Sequence, residues 1–300
     1  MPGSRLPRFK RVSTAAPLHL TERDRNIIRL IHRHRFLRSS HITALMGGSP
    51  QQLLRRLKLL YHHGYLERPR CQIDAYHKGG SRHIAYGLGN KGGSLLKQEL
   101  GATFRNVSWS EKNRAVGRIF LEHALLVSEV MTAIELACRK ADIRLITERE
   151  LGGGKPFRWK VSLPNRKRLG VIPDRTFALE FQNAEGQSQR AYFFLEADRG
   201  TMPVKRRTLS QTSFHRKLLA YEATWSQSIH RSRFGFHRFR VITVTTSPAR
   251  VTSLVEACSQ LKSGHGLFLF ADRSVLDKSD EIFSPVWQAG KHGEFGSLLD

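Results

Sequence analysis

Negative charge is scarce in this sequence. It holds 25 Asp and Glu against 50 Lys and Arg, for a formal charge of +25. An excess of that size points to a polyanionic partner, because a basic surface raises local phosphate concentration and association rate. Cysteine is nearly missing. Cys71, Cys138 and Cys258 are odd in number and far apart, so they supply neither a disulfide framework nor a zinc ligand set. Cys138 and Cys258 fall in apolar helical patterns and are expected to be buried, in keeping with a reducing cytoplasm. No apolar run approaches the length needed to cross a bilayer, so no membrane partner is expected. The basic stretch 1–10 lacks the apolar centre of a secretory signal. There is no internal repeat and no low-complexity tract. GxSxG and HExxH are absent, and Gly152-Gly153-Gly154 lacks the Lys-Ser/Thr of a phosphate-binding loop, so it reads as a turn.

What is present suffices for two modest domains. Forty per cent of the 300 residues are hydrophobic and 9% aromatic, enough for a real core. The charge is uneven. Residues 1–110 hold 20 of the basic and 5 of the acidic residues, a net +15, so the electrostatic footprint is densest in the first third. Residues 1–19 read as a disordered basic arm. Thr21 and the acidic turn after it open a helix whose apolar face is Ile27, Ile28, Leu30 and Ile31. Ser39-Ser40 opens a short second helix with Ile42, Leu45 and Met46, stopped by Gly47-Gly48. Ser49-Pro50 starts a third, with Leu53, Leu54, Leu57, Leu59 and Leu60 as its buried stripe. A strand over 65–68, a turn-rich stretch to Gly80, a return strand over 84–88 and a helix from Asn90 follow.

Three helices, a hairpin and a closing helix resemble a winged helix-turn-helix over residues 20–102. That resemblance implies that the third helix reads the major groove while the hairpin touches the backbone. The candidate groove residues are Gln51, Gln52, Arg55 and Arg56, since Arg and Gln can bond base edges as well as phosphates. Arg68, Arg70, Lys78 and Arg82 are the candidate wing contacts. The bland alternative is that all eight are ordinary solvated side chains. Residues 103–117 read as a polar linker and 118–300 as a nuclease-like α/β domain, the whole chain being α+β or α/β. A long helix covers 118–140. Strands are expected over 143–149, 157–162, 171–181, 191–197, 240–245 and 267–270, and helices over 209–225 and 250–262. Trp159, Trp225 and Trp287 read as packing residues.

Chemistry is suggested by Val171-Ile172-Pro173-Asp174 and by Leu195-Glu196-Ala197-Asp198-Arg199-Gly200-Thr201. Asp174 and Glu196, 22 residues apart, each end or lie within an apolar strand of one hairpin. Neighbouring strands run about 4.8 Å apart, so the two carboxylates can converge on one cation. Two or three carboxylates with water suit Mg²⁺, which polarises a phosphodiester and acidifies an attacking water. The competing reading is structural: Glu196 pairing an arginine, and Asp198-Arg199 forming a surface turn. Burial of the converging pair would favour the metal, and opposite faces of the sheet would defeat it.

The layout resembles the PD-(D/E)xK nuclease superfamily. Pro173-Asp174 matches its first part, and Glu196-Ala197-Asp198 stands where (D/E)xK is expected, with Asp198 in place of the lysine. The resemblance makes Asp174 and Glu196 metal ligands, gives Asp198 an assisting role, and leaves the cation to Lys217 on the following helix, with Arg199 and Lys205 less favoured. By position alone, Glu129 on the long helix stands where many members carry a further acidic ligand. A winged helix followed by Glu196-Ala197-Asp198-Arg199-Gly200-Thr201, with Lys217 and Tyr221 one turn apart, is similar more specifically to the replication-relaxation family of plasmid proteins, and to the MobC type of plasmid relaxase. What this implies is a Mg²⁺-dependent nickase acting on double-stranded DNA of a plasmid or other mobile element. The alternative is a non-catalytic regulator of replication or transcription whose second domain is a degenerate nuclease fold. A phage or transposon protein shares most of these features. Tyr192 and Tyr221 are candidate nucleophiles, though a tyrosine is more often packing, and a homodimer stays open.

Overall fold

The structure, a computed structural model, describes residues 8–12, 17–73, 83–101, 107–163, 168–183, 185–208, 210–278 and 281–300. The chain divides into two units, Met1–Thr132 and Ala133–Asp300, with mixed α and β content.

In the first unit, helix α1 (Glu22–His34) opens with a reciprocal cap. The Thr21 hydroxyl accepts from the Asp24 amide at 3.3 Å, and the Asp24 carboxylate accepts from the Thr21 amide at 2.8 Å. Strand β1 (Phe36–Arg38), helix α2 (Ser39–Met46) and helix α3 (Pro50–His62) follow. Gly47 and Gly48 separate α2 from α3 at φ of 62° and 75°, a left-handed turn that glycine adopts without strain. Ser49 caps α3 by accepting from the Gln52 amide at 3.4 Å, with Pro50 at the first helical position. Strands β2 (Leu66–Glu67) and β3 (Ala85–Leu88) join β1 in an antiparallel sheet of order β1-β3-β2. Helices α4 (Asn90–Leu100), α5 (Trp109–Arg114) and α6 (Arg118–Lys140) come next, and the division between the units falls within α6.

Ile27, Ile28, Ile31, Leu53, Leu57, Leu60, Leu66 and Leu88 are buried together in this unit. Each contributes roughly 1.5–3 kcal/mol by leaving water. The expected stripe on α3 narrows in one respect, because Leu54 is 46% exposed. One element was not anticipated and two expectations need correcting. Strand β1 had no sequence signal: it is three residues long and its burial comes from pairing with β3. The linker over 103–117 contains helix α5, whose Ser110 and Asn113 are buried. Part of the arm expected to be disordered is docked, since Arg11 donates to the carbonyls of Tyr61 and Leu66 at 2.9 Å each.

The second unit is built on a seven-stranded sheet. Strand β4 (Arg144–Ile146) precedes helix α7 (Glu148–Leu151) and the hairpin β5 (Trp159–Ser162)–β6 (Arg168–Val171). Then come β7 (Arg175–Gln182), β8 (Ser188–Ala197), helices α8 (Phe214–Ser226) and α9 (Ile229–Phe234), β9 (Arg240–Thr245), helix α10 (Pro248–Cys258), β10 (Phe268–Asp272), β11 (Trp287–Ala289) and β12 (Phe295–Gly296). The sheet order is β12-β11-β10-β9-β8-β7-β4. Strands β8, β9 and β10 are parallel, while β7 runs antiparallel to β8.

The expected strand over 143–149 stops at Ile146, because Thr147 and Glu150 form a capping box that turns the chain into α7. The expected strand over 171–181 is two strands. Val171 closes β6 and Arg175 opens β7, with Pro173, which has no N–H for a ladder, between them. The helix expected over 209–225 starts at Phe214, capped by Ser213, and its expected first residue lies outside the described residues. Ser247 starts α10 before the expected residue 250.

Alternation along β8 decides where its side chains go. Phe194 belongs to a core cluster with Trp159, Tyr221, Val241 and Leu254, on the side covered by α8 and α10. Glu196, two residues on, shares that face. Phe193 points the other way and stacks on Phe177 at 5.0 Å. A carboxylate is thus carried into the helix-covered core at the end of an otherwise apolar strand. Cys138 and Cys258 are buried as expected, with thiols pushed up to about 12 by burial.

Candidate functional site

The N-terminal unit presents α3. Gln51, Gln52 and Arg55 are exposed on it. Arg56 is half-buried and engaged: its Nε donates to Asp24 Oδ1 at 2.9 Å, and its Nη2 donates to the other oxygen of Asp24 and to the His19 carbonyl at 3.0 Å. Asp24 is 1% exposed. Burial pushes its carboxyl up, but the bonds from Arg56 and Thr21 outweigh burial and hold it below the usual range. Arg56 therefore ties α3 to the start of α1. Arg68 departs further from a solvent-facing wing contact. It is 4% exposed, with its guanidinium 4.1 Å over the Tyr61 ring, and it donates to Tyr86 Oη at 3.1 Å and the Arg8 carbonyl at 2.5 Å. Its low exposure reflects an apolar stem and a planar head suited to two aromatic faces. Arg70 is exposed. Lys78 and Arg82 lie outside the described residues.

In the second unit the structure brings four of the named residues together. The register of β7 and β8 pairs Thr176 with Phe194 and Arg175 with Leu195, and the Asp174 amide continues the ladder to the Leu195 carbonyl at 3.0 Å. Asp174 therefore stands opposite Glu196 on the same face. Its Oδ2 accepts from the Ala197 amide at 2.8 Å. Glu196 is 2% exposed. From α8, the Lys217 ammonium lies 2.5 Å from Glu196 Oε2, and the Tyr221 hydroxyl donates to Oε1 at 2.6 Å. Lys217 and Tyr221 are four residues apart, hence one above the other on a helix face. Burial of Phe214, Leu218 and Tyr221 holds that face against the sheet.

The electrostatics follow from this packing. Burial pushes the Glu196 carboxyl up, the Lys217 charge offsets part of the rise, and the charge of Asp174 adds to it, leaving Glu196 above its ordinary value. For Lys217, burial acts downward, but the charges of Glu196 and Asp174 outweigh it and hold the ammonium above its ordinary value. Tyr221 is driven well above the usual phenol range, first by burial and then by the neighbouring Glu196. It is a hydrogen-bond donor here and stays protonated.

Asp198 does something other than the expected assistance. Its Oδ2 accepts from Arg250 Nε and Thr245 Oγ1, both at 2.8 Å, and its Oδ1 accepts from the Gly200 amide at 3.2 Å. Arg250 Nη2 also holds the Met202 carbonyl at 2.6 Å. Asp198 thus braces the turn after β8 to the first turn of α10, while adding its charge to the field at Lys217. Glu129 lies in the other unit, where its charge acts on the half-buried His41. Among the described residues, no three or more His, Cys, Asp or Glu side chains are grouped to hold a metal ion. The acidic pair is accordingly Asp174 and Glu196, with Lys217 against the latter, while Arg175, opposite Leu195 in the register, alternates to the other face of the sheet.

Two partnerships, Arg250 with Asp198 and Tyr221 with Glu196, were not expected from the sequence. Arg250 lies 52 residues beyond Asp198, in a helix whose start is fixed by Ser247. The role of Tyr221 as a donor to Glu196 had a weak signal, its four-residue spacing from Lys217.

No curated protein matches the chain, and no solved structure does. The family model for replication-relaxation proteins matches residues 28–238, a stretch running from α1 through both carboxylates, Lys217 and Tyr221, so the chain belongs to the replication-relaxation family.

Proposed function

We propose that this protein binds double-stranded DNA of a plasmid or other mobile element and nicks one strand at the Asp174–Glu196 pair with Mg²⁺. The family ties the chain to plasmid or mobile-element replication or relaxation. The DNA-binding half is supported by the charge of +25 and by the element order of the N-terminal unit. We read that unit as a winged helix-turn-helix, with α3 as its reader helix and Gln51, Gln52 and Arg55 facing outward for the groove.

The observation that carries the cleavage reading is the strand register that sets Asp174 against Glu196 with an ammonium 2.5 Å from the latter. Two oxygen donors on facing strands, one of them weakened as an acid by burial and by its neighbour, suit a hard divalent cation. Mg²⁺ is commonly held by one or two carboxylates together with substrate phosphate oxygens. When bound it acidifies an attacking water and offsets phosphodiester charge. The side chains have separable tasks. Lys217 keeps its proton, fixes Glu196, and is placed to meet the charge that develops on a phosphate at the pair. Tyr221 orients the other oxygen of Glu196.

The test is conversion of supercoiled plasmid to open circles by the full chain with Mg²⁺. Asp174→Ala should reduce the rate by at least 100-fold, about 2.7 kcal/mol of barrier. Wild-type protein that leaves the plasmid supercoiled, or nicks it equally with chelator present, refutes the reading. A second reading, a non-catalytic DNA-binding regulator, draws on one observation: both oxygens of Glu196 already have partners within the fold. It expects salt-sensitive DNA binding, indifferent to Mg²⁺, and no open circles.

A further inference from the structure

A cavity of about 740 Å³ opens in the N-terminal unit, and of the candidate DNA contacts named above Arg70 lines it. The end of α3, the turn at Arg70, the start of α4, helix α5 and the segment bearing Arg11 form its walls. Its charge is lopsided. Arg11, Arg70, Lys91 and Arg114 line it, against a single lining carboxylate, Glu111. Behind the wall, Glu67 is 1% exposed and is shared by Arg11 at 2.9 Å and Arg114 at 3.1 Å, so one negative charge serves two cations. Arg70 and Lys91 are exposed, and neither has a carboxylate partner among the described residues.

His62 belongs to the same wall and is 6% exposed. Its Nδ1 accepts from the Val12 amide at 3.3 Å, which helps to hold the segment bearing Arg11 against the end of α3. Burial and then the charges of Arg68, Lys58 and Arg11 keep the ring less basic than usual.

The volume selects the class of anion. A bare phosphate would leave most of 740 Å³ empty, whereas small-molecule pockets commonly run from about 300 to 1,000 Å³. We propose that this cavity binds a phosphorylated small molecule of nucleotide size, with Arg70, Lys91 and Arg114 holding its phosphates. The site is independent of the nicking reading and would operate in a non-catalytic DNA-binding protein as well.

The experiment is calorimetric titration of the full chain with ADP, with adenosine as the control lacking phosphate. ADP should bind and adenosine should not. Arg70→Ala and Lys91→Ala alter exposed side chains and should leave the melting temperature unchanged while each weakens ADP about tenfold, the loss of one charge-assisted contact. Absence of ADP binding to wild type, an affinity in both variants unchanged from wild type, or equal binding of adenosine would overturn the proposal. So would displacement of ADP by an equimolar short DNA duplex, which would assign the cations to the DNA surface.

Discussion

Replacing Lys217 with methionine removes an ammonium and keeps most of the side-chain volume. Glu196 is then left almost fully buried beside Asp174, with no cation at 2.5 Å. Breaking a buried ion pair from one side costs about 3–5 kcal/mol, because the surviving charge has no compensation. Lys217 is 34% exposed, so solvent already screens part of the pair and the expected loss is nearer 2–3 kcal/mol at pH 8. The loss should depend on pH with a definite sign. Glu196 already binds its proton more tightly in the folded protein than in an unfolded chain, and removing Lys217 deletes the main influence opposing that. The penalty falls on the ionised form, so it is complete above the folded pKa of Glu196 and fades as pH drops through that value towards the ordinary carboxylate range. Urea denaturation of wild type and Lys217→Met at pH 8 and pH 5 reads this directly. The gap should shrink at pH 5, and Lys217→Met/Glu196→Gln should recover most of the stability at pH 8. An equal gap at both pH values, or no recovery in the double variant, would refute the view that Lys217 exists to compensate Glu196.

Asp198→Asn should destabilise the protein by about 3 kcal/mol, because Arg250 is 15% exposed and loses its counter-charge; Asp174→Asn should abolish nicking with little change in the denaturation midpoint. Arg55→Ala should weaken DNA binding and lower the slope of log affinity against log salt by about 1 without altering stability. Arg56→Ala should instead cost roughly 1–3 kcal/mol of stability, because Asp24 is buried and keeps its charge, and the two variants are separated by thermal melts and salt-dependent binding curves. Gly92→Ala should lower unfolding free energy by about 2–3 kcal/mol, since its new Cβ would stand 2.3 Å from the Tyr65 carbonyl oxygen and 2.9 Å from Leu88.

The elements that the sequence exposes are those fixed by local chemistry. Thr21, Ser49 and the Gly47-Gly48 pair mark helix boundaries through caps and positive φ, and α1, α2 and α3 lie where those residues put them. Elements held only by distant pairing were hidden. Strand β1 depends on β3, almost 50 residues away, β11 depends on β10, and β12 on β11. The same division runs through the candidate site. Asp174 and Glu196 announce themselves as carboxylates at the ends of apolar runs, and Lys217 as a cation on the next helix. Arg250 could not be found that way, because its partnership with Asp198 arises where β8, β9 and α10 meet. Arg68 misleads for a related reason: a charged residue beside a turn looks solvent-facing until two tyrosines are folded around it.

The aspartate standing where the nuclease-like pattern has a lysine changes less than the bare motif suggests. Moving the cation from the strand to α8 leaves Glu196 with an ammonium in contact, and Arg250 neutralises Asp198 locally. The carboxylate and its cation thus meet through the packing of α8 on β8 rather than along one strand, and Asp198 instead holds the turn after β8 to α10.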